Sequence, residues 1–361
     1  MQKTERNHGI DLLKIILAIM VIIIHINAGG TGQVLLNATE FPWNWIISFV
    51  TILCYPAVNT YILICGYYSY SVHKDVKSII QSLSSLWLSA LFFSFVGYFV
   101  SVIWFGKQIL INEFVKRFFP ITRGVWWFYT VYFALMLISP FVNKMLDNLS
   151  NVEIKLLIVL LVLFFSIFPV FVDWKGQLGS NYGYSLIWFV TLYLVGAFLN
   201  LIDIGKIKTN YSWGVFLLLS IIMLFWPKAF GLVGINSTVS MYNSLFCLGQ
   251  SICLFCLFVR IQIPQIGISL VGSISNVILA SYLLHCQEDI EIIMWEYIHP
   301  SSYANSISIV FVTFYIVAGI LLTSIVLEQI RKKVCKLLRV DKVMSQILAV
   351  VFKYADRVLQ K

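Results

Sequence analysis

Apolar stretches of about twenty residues, each long enough to cross a bilayer as a helix, recur from one end of this chain to the other with few charges inside them. The composition follows from that pattern. Of 361 residues, 60% are hydrophobic and 11% charged, and the mean hydropathy is +0.89, whereas a soluble domain is nearer a quarter charged. The expected fold is an all-α polytopic membrane bundle of about ten transmembrane helices, counted at about 20 apolar residues per crossing. The windows lie near 9–28, 43–65, 80–104, 125–142, 153–172, 184–202, 211–227, 239–259, 266–285 and 306–327. The ninth holds Ser273, Ser275, Asn276 and Ser281, polar groups that belong against protein or a cavity rather than lipid.

Charge placement sets an orientation. With the N-terminus inside, 19 of the 25 basic residues fall on the cytoplasmic side. Lys107, Lys116, Arg117, Arg123, Lys175 and Lys228 are left outside. That bias predicts both termini in the cytoplasm, with the acidic cluster Glu288, Asp289, Glu291 and Glu296 outside. The net charge of +9 is then a topology signal, and no nucleic-acid partner is expected. The first apolar run is longer than the core of a signal peptide and already contains Lys14, so it is expected to be retained. Residues 1–327 read as one transmembrane domain. Residues 328–361 read as a basic tail of one or two amphipathic helices on the inner membrane surface, with Val334, Leu337, Leu338, Met344, Ile347, Leu348 and Val351 spaced among the charges. Two longer loops are expected, between helices three and four and after helix nine. The seven cysteines lie mostly within helices. Cys253 and Cys256 form a C-x-x-C with apolar flanks and no second pair, so small core residues are expected and no metal.

The polar residues inside the first window carry the chemistry. Ionisable groups within a membrane span are functional candidates by default. Lys14 and His25 are eleven residues apart, which at about 100° per residue is three turns plus about 20°, so both point the same way. Asp11 lies one turn before Lys14. The rise from Lys14 to His25 is about 16 Å, enough for a cation at one membrane face and an imidazole deep inside to line a single path.

The order of local signatures along residues 5–290 resembles the acyltransferase-3 family of integral membrane acyltransferases. The opening signature reads Asp11, Lys14, His25 here. It is followed by Pro56-Ala-Val-Asn59 through Gly66-Tyr67, then Phe119-Pro120 through Arg123 to Trp126-Trp127-Phe128-Tyr129. Ser139-Pro140-Phe141, Leu192-Tyr193 with Gly196, and Ser281-Tyr282-Leu-Leu-His285 complete the series. The resemblance implies transfer of an acyl group, usually acetyl from acetyl-CoA, to extracytoplasmic sugars and related acceptors. The chain departs from the pattern twice. The family's arginine is Lys14, which keeps the charge but loses the planar fork that grips phosphate. An Arg-x-x-Arg after the second helix is replaced by His73, Lys74 and Lys77.

Under that resemblance His25 is the catalytic candidate, as a general base taking the proton of an incoming hydroxyl or as a nucleophilic acyl carrier. General base is the preferred reading. Its plain alternative is a packing imidazole. Lys14, with Asp11 orienting it and Lys74 and Lys77 in support, is the candidate for CoA phosphates at the cytoplasmic mouth. The same lysines also serve as snorkelling or positive-inside residues. Trp126, Trp127 and Tyr129 read either as an interfacial aromatic belt or as a sugar-stacking platform. Beside them, Arg123 is a partner for an anionic or lipid-linked acceptor, or an anchor. Asn59, Ser281 and His285 either line the cavity or bond between helices. The expected activity is an O-acetyltransferase of the plasma (inner) membrane, embedded in the lipid bilayer and acting on a cell-surface polysaccharide or a lipid-linked glycan. Acetyl-CoA is the donor, and an extracytoplasmic transferase in trans is a further partner. The alternative is a transporter or flippase of lipid-linked sugars, which is expected to show an internal repeat or paired broken helices.

Overall fold

The computed structural model describes residues 6–28, 31–171, 179–202, 204, 208–229 and 238–359. Residue 172 at the end of the fifth window, and Lys3, Lys175, Lys206 and Lys361 among the charges, lie outside that set. The described residues are helical with no strand, so the chain is an all-α polytopic bundle. The helices are α1 His8–Asn27, α2 Val34–Asn37, α3 Trp43–Cys54, α4 Ala57–Val72, α5 Val76–Phe105, α6 Ile111–Lys116, α7 Trp127–Asp147 and α8 Asn151–Val162. A π segment, Leu163–Ile167, joins α8 to α9 Phe168–Phe171. There follow α10 Leu186–Leu201, α11 Thr209–Ala229, α12 Leu245–Phe258, α13 Gln265–Ser275, α14 Leu279–His285, α15 Glu288–Ile298, α16 Ser308–Leu337 and α17 Val340–Leu359. Each of the ten expected windows has a helical counterpart. Among the described residues, seven helical stretches are long and apolar enough to cross a membrane, two of them formed by the consecutive pairs α3–α4 and α13–α14, and α10 and α12 are shorter apolar helices.

Side-chain caps fix several helix starts by satisfying backbone N–H groups that have no partner within the helix. Asn7 caps α1 by accepting from Ile10 N at 3.1 Å, and Asp75 caps α5 by accepting from Ser78 N at 3.1 Å. The exposed Asp75 carboxyl is held below the usual carboxylate range, foremost by its hydrogen bond with Ser78. Ser150 and Glu153 form a reciprocal capping box at α8.

The two long loops of the sequence reading each contain a helix. In the first, Phe114 and Phe118 of the α6 region pack on Phe95 of α5 at ring separations of 5.2 and 5.0 Å. In the second, Gln287 caps α15, whose acidic first turn suits the positive helix end. Asp289 there is buried and pairs with Lys107 at 2.8 Å and Arg117 at 3.3 Å, tying both segments together. The expected tail boundary at residue 328 falls inside α16, which continues unbroken to Leu337.

Helix α1 is the centre of the bundle. It packs against α3, α4, α12, α13, α14 and α16, and Leu13, Leu17, Ile22 and Ile26 are fully buried. The large side chains left exposed, such as Phe311, Phe314, Tyr315 and Leu322 on α16, form the surface that a polytopic bundle turns to lipid. Helices α4 and α10 cross at close range. A Cβ on Gly66 would collide with the Tyr193 carbonyl, and one on Gly196 with the Leu63 carbonyl. Small residues at such a crossing let backbones approach. Gly196→Val is therefore expected to destabilise the bundle by about 1–3 kcal/mol. The measurement is the thermal midpoint of the detergent-solubilised protein. Gly214→Ala, at a position with open space around it, is the control expected to leave the midpoint unchanged.

Candidate active site

The start of α1 is built around Asp11, which is 3% exposed. Its carboxylate accepts from Arg6 Nε at 2.5 Å and from Ser275 Oγ at 3.0 Å, with His8 at 3.3 Å and Lys14 Nζ at 3.6 Å. Arg6 also donates to the Gly272 carbonyl and to Asn276 Oδ1, each at 3.1 Å. Arg6 thus ties the N-terminus to the turn between α13 and α14. That turn breaks the ninth window into two helices, which explains its polar residues.

Sequence reasoning missed Arg6. It supplies a guanidinium on the same carboxylate as Lys14, three turns below His25, where the sequence shows only an ammonium on the helix. The one available signal was an arginine just ahead of an Asn cap.

His25 stands near the other end of α1. Ala18, Val21 and His25 share one helix face and line a narrow cavity between the helices. Val58 and Tyr61 of α4, Trp127 and Phe128 of α7, Tyr242, and Ile278, Leu279, Ser281, Tyr282 and His285 at the α14 end complete the wall. The lining is apolar except for the two imidazoles, a serine and the tyrosine hydroxyls.

The His25 and His285 rings meet edge to face, 5.0 Å apart between centroids. His285 is 1% exposed, and its Nδ1 lies 2.5 Å from the Ser281 carbonyl. A carbonyl only accepts, so Nδ1 carries the proton and Nε2 is left as a lone pair. That Nε2 is buried without a hydrogen-bond partner. The Cys286 sulfur lies 3.3 Å from Nδ1 of His25. His25, His285 and Cys286 are also the described residues that could hold a metal, with one donor atom from each lying within 4.8 Å of the others.

The remaining candidates divide. Trp127 faces the cavity and packs on Tyr184 and Tyr242 at ring separations of 4.4 and 5.9 Å. Trp126, just ahead of α7, and Tyr129 instead enter a core with Ala90, Phe93, Ala280 and Leu283, where Tyr129 donates to the Leu86 carbonyl at 2.8 Å. Asn59 is fully buried. It donates to the Tyr242 carbonyl at 2.7 Å and accepts from Trp188 Nε1 at 3.1 Å, fixing the wall rather than lining it. Ser281 lines the cavity and orients His285. Arg123 is exposed and is not part of the lining.

Lys74 donates to Ser82 at 3.4 Å, and Lys77 pairs with Asp356 of α17 at 2.9 Å. Neither lies in the Asp11 cluster. Tyr61 and Tyr242 were not given a role from sequence, and Tyr282 appeared there only as part of a signature, because an isolated tyrosine among apolar residues carries no local signal.

A family model described as an acyltransferase domain, acyltransferase-3, matches residues 7–328, nearly the whole chain. No curated protein and no solved structure matches it.

Proposed function

This chain belongs to the acyltransferase-3 family of membrane acyltransferases, and on that premise we propose that it is an O-acetyltransferase. It moves acetyl from cytosolic acetyl-CoA to a hydroxyl of a cell-surface polysaccharide or a lipid-linked glycan at the plasma membrane. The observation that carries the reading is the pair of imidazoles facing one apolar cavity in mid-bundle, His25 and His285. Both termini are cytoplasmic in this proposal, as the basic residues favour. The Arg6–Asp11–Lys14 cluster then stands at the inner mouth and receives the CoA phosphates. The rise of about 16 Å from Lys14 to His25 is spanned by the pantetheine arm. Trp127 and Tyr242 offer flat faces to a sugar ring from the other side. His25 takes the proton of the acceptor hydroxyl as that oxygen attacks an acyl thioester. The bare Nε2 of His285 accepts a hydrogen bond from the same hydroxyl and holds it in place.

The test is incorporation of label from radiolabelled acetyl-CoA into glycan, in membranes carrying the protein and in membranes without it. Protein-dependent label in a glycan fraction, released by mild base as an ester, is the expected result. No protein-dependent incorporation would overturn the reading.

A further inference from the structure

We propose that Cys286 carries the acyl group between donor and acceptor, with His25 as its base. The inference rests on the acyl-transfer reading above and adds a covalent step to it. Cys286 Sγ lies 3.3 Å from Nδ1 and 4.0 Å from Nε2 of His25, so a thiol and an imidazole are in contact as a nucleophile–base pair requires. Cys286 is half-buried as a residue, whereas Cys54, Cys247, Cys253 and Cys256 are buried. Cys65 lies against Ser69 and Met136, and Cys335 against Arg331. Among the described residues, Cys286 is the cysteine whose sulfur meets an imidazole.

A second observation points to a ligand at the same place. His285 is the preceding residue, 1% exposed, and its Nε2 is a buried lone pair without a partner. Leaving such an acceptor empty carries a desolvation cost, which an incoming hydroxyl removes.

The steps balance. The Cys286 proton passes to Nδ1 of His25 as the sulfur bonds to the acyl carbon of the donor thioester. The bond from that carbon to the donor sulfur breaks, and the donor thiol leaves with the proton from His25. Cys286 is now a thioester. An acceptor hydroxyl, held at Nε2 of His285, then bonds through oxygen to the acyl carbon while its proton passes to His25. The carbon–sulfur bond breaks, and Cys286 recovers the proton as an oxygen ester leaves. Nothing is oxidised or reduced. A relay of this kind lets the one cavity that His25 and His285 line serve donor and acceptor in turn, one from each side of the membrane.

The experiment incubates the purified full-length protein with radiolabelled acetyl-CoA and no acceptor, followed by acid quench and denaturing electrophoresis. The expected result is label on the chain, released by neutral hydroxylamine and mapped by mass spectrometry to the peptide containing Cys286. It is absent from Cys286→Ala, and in Cys286→Ser it is either absent or resistant to neutral hydroxylamine. Label on another residue overturns the proposal. So does a purified wild type that stays unlabelled while its membranes still acetylate glycan, an outcome that leaves the acetyltransferase reading standing. If membranes of the wild type transfer no acetyl at all, both fall. Mapping on the wild type decides the matter without any variant, so a variant that fails to fold does not block the test.

Discussion

His25→Ala is expected to lower acetyl transfer by about a hundred- to ten-thousand-fold, the usual contribution of a positioned acid–base group. The bundle itself should survive. His25 stands at a cavity wall, where truncation enlarges an existing space rather than opening a new one in packed core. Its ring contacts are to His285 and Cys286, not to a network that holds helices together. The measurement is label transfer from acetyl-CoA in membranes with matched expression, read beside the thermal midpoint of the purified variant. A large loss of rate with an unchanged midpoint places His25 at the chemistry. Unchanged rate removes it from the mechanism. A loss of both returns it to helix packing.

The outline of this fold was legible because a bilayer makes strong demands on sequence. Windows of sufficient length and apolarity can hardly be anything but helices, and the in-phase spacing of Asp11, Lys14 and His25 follows from helix geometry alone. What pairs with those residues was not legible. The Asp11 carboxylate is completed by Arg6, and by Ser275 of α13 more than 260 positions later. His25 meets its neighbours only because α14 packs beside α1.

The aromatic run shows the same limit at short range. Trp127 opens α7 while Trp126 precedes it in extended backbone, so the two adjacent indoles enter different surroundings. Sequence offered no reason to prefer Trp127 as the one that reaches the cavity. Cys286 was read with the other cysteines as a small core residue, because a thiol without a neighbouring histidine on its own helix face carries no signal of a base arriving from elsewhere. Arg331 reads in the sequence as one of the basic residues of the 328–361 tail. In the structure it is 9% exposed, folded back against Glu328.

That last pair sets the largest stability effect expected in the molecule. Arg331 donates from Nε to Glu328 Oε2 at 2.8 Å and from Nη2 to Oε1 at 2.7 Å, a two-pronged contact between side chains that are 11% and 7% exposed. Lys332 Nζ, the next cation, is 3.8 Å from the same carboxylate. Fork-to-fork geometry makes such a contact strong and specific, but its net worth is set by desolvation. Two charges removed from water repay that penalty only together, so removing one strands the other.

Glu328→Ala is therefore expected to destabilise the protein by about 3–5 kcal/mol, seen as a fall in the thermal midpoint of the solubilised protein. Replacing both partners, Glu328→Leu with Arg331→Met, should recover most of the loss, because no charge is then left buried. A single variant as stable as the wild type would mean that Arg331 reaches water or lipid headgroups without its partner, and that the pair is a surface contact. Recovery in the double variant with unchanged acetyl transfer would show a pair that is structural. Recovery of stability with transfer still lost would give it a part in the site around Asp11. Glu328 and Arg331 line a pocket with Asn276, the residue to which Arg6 donates.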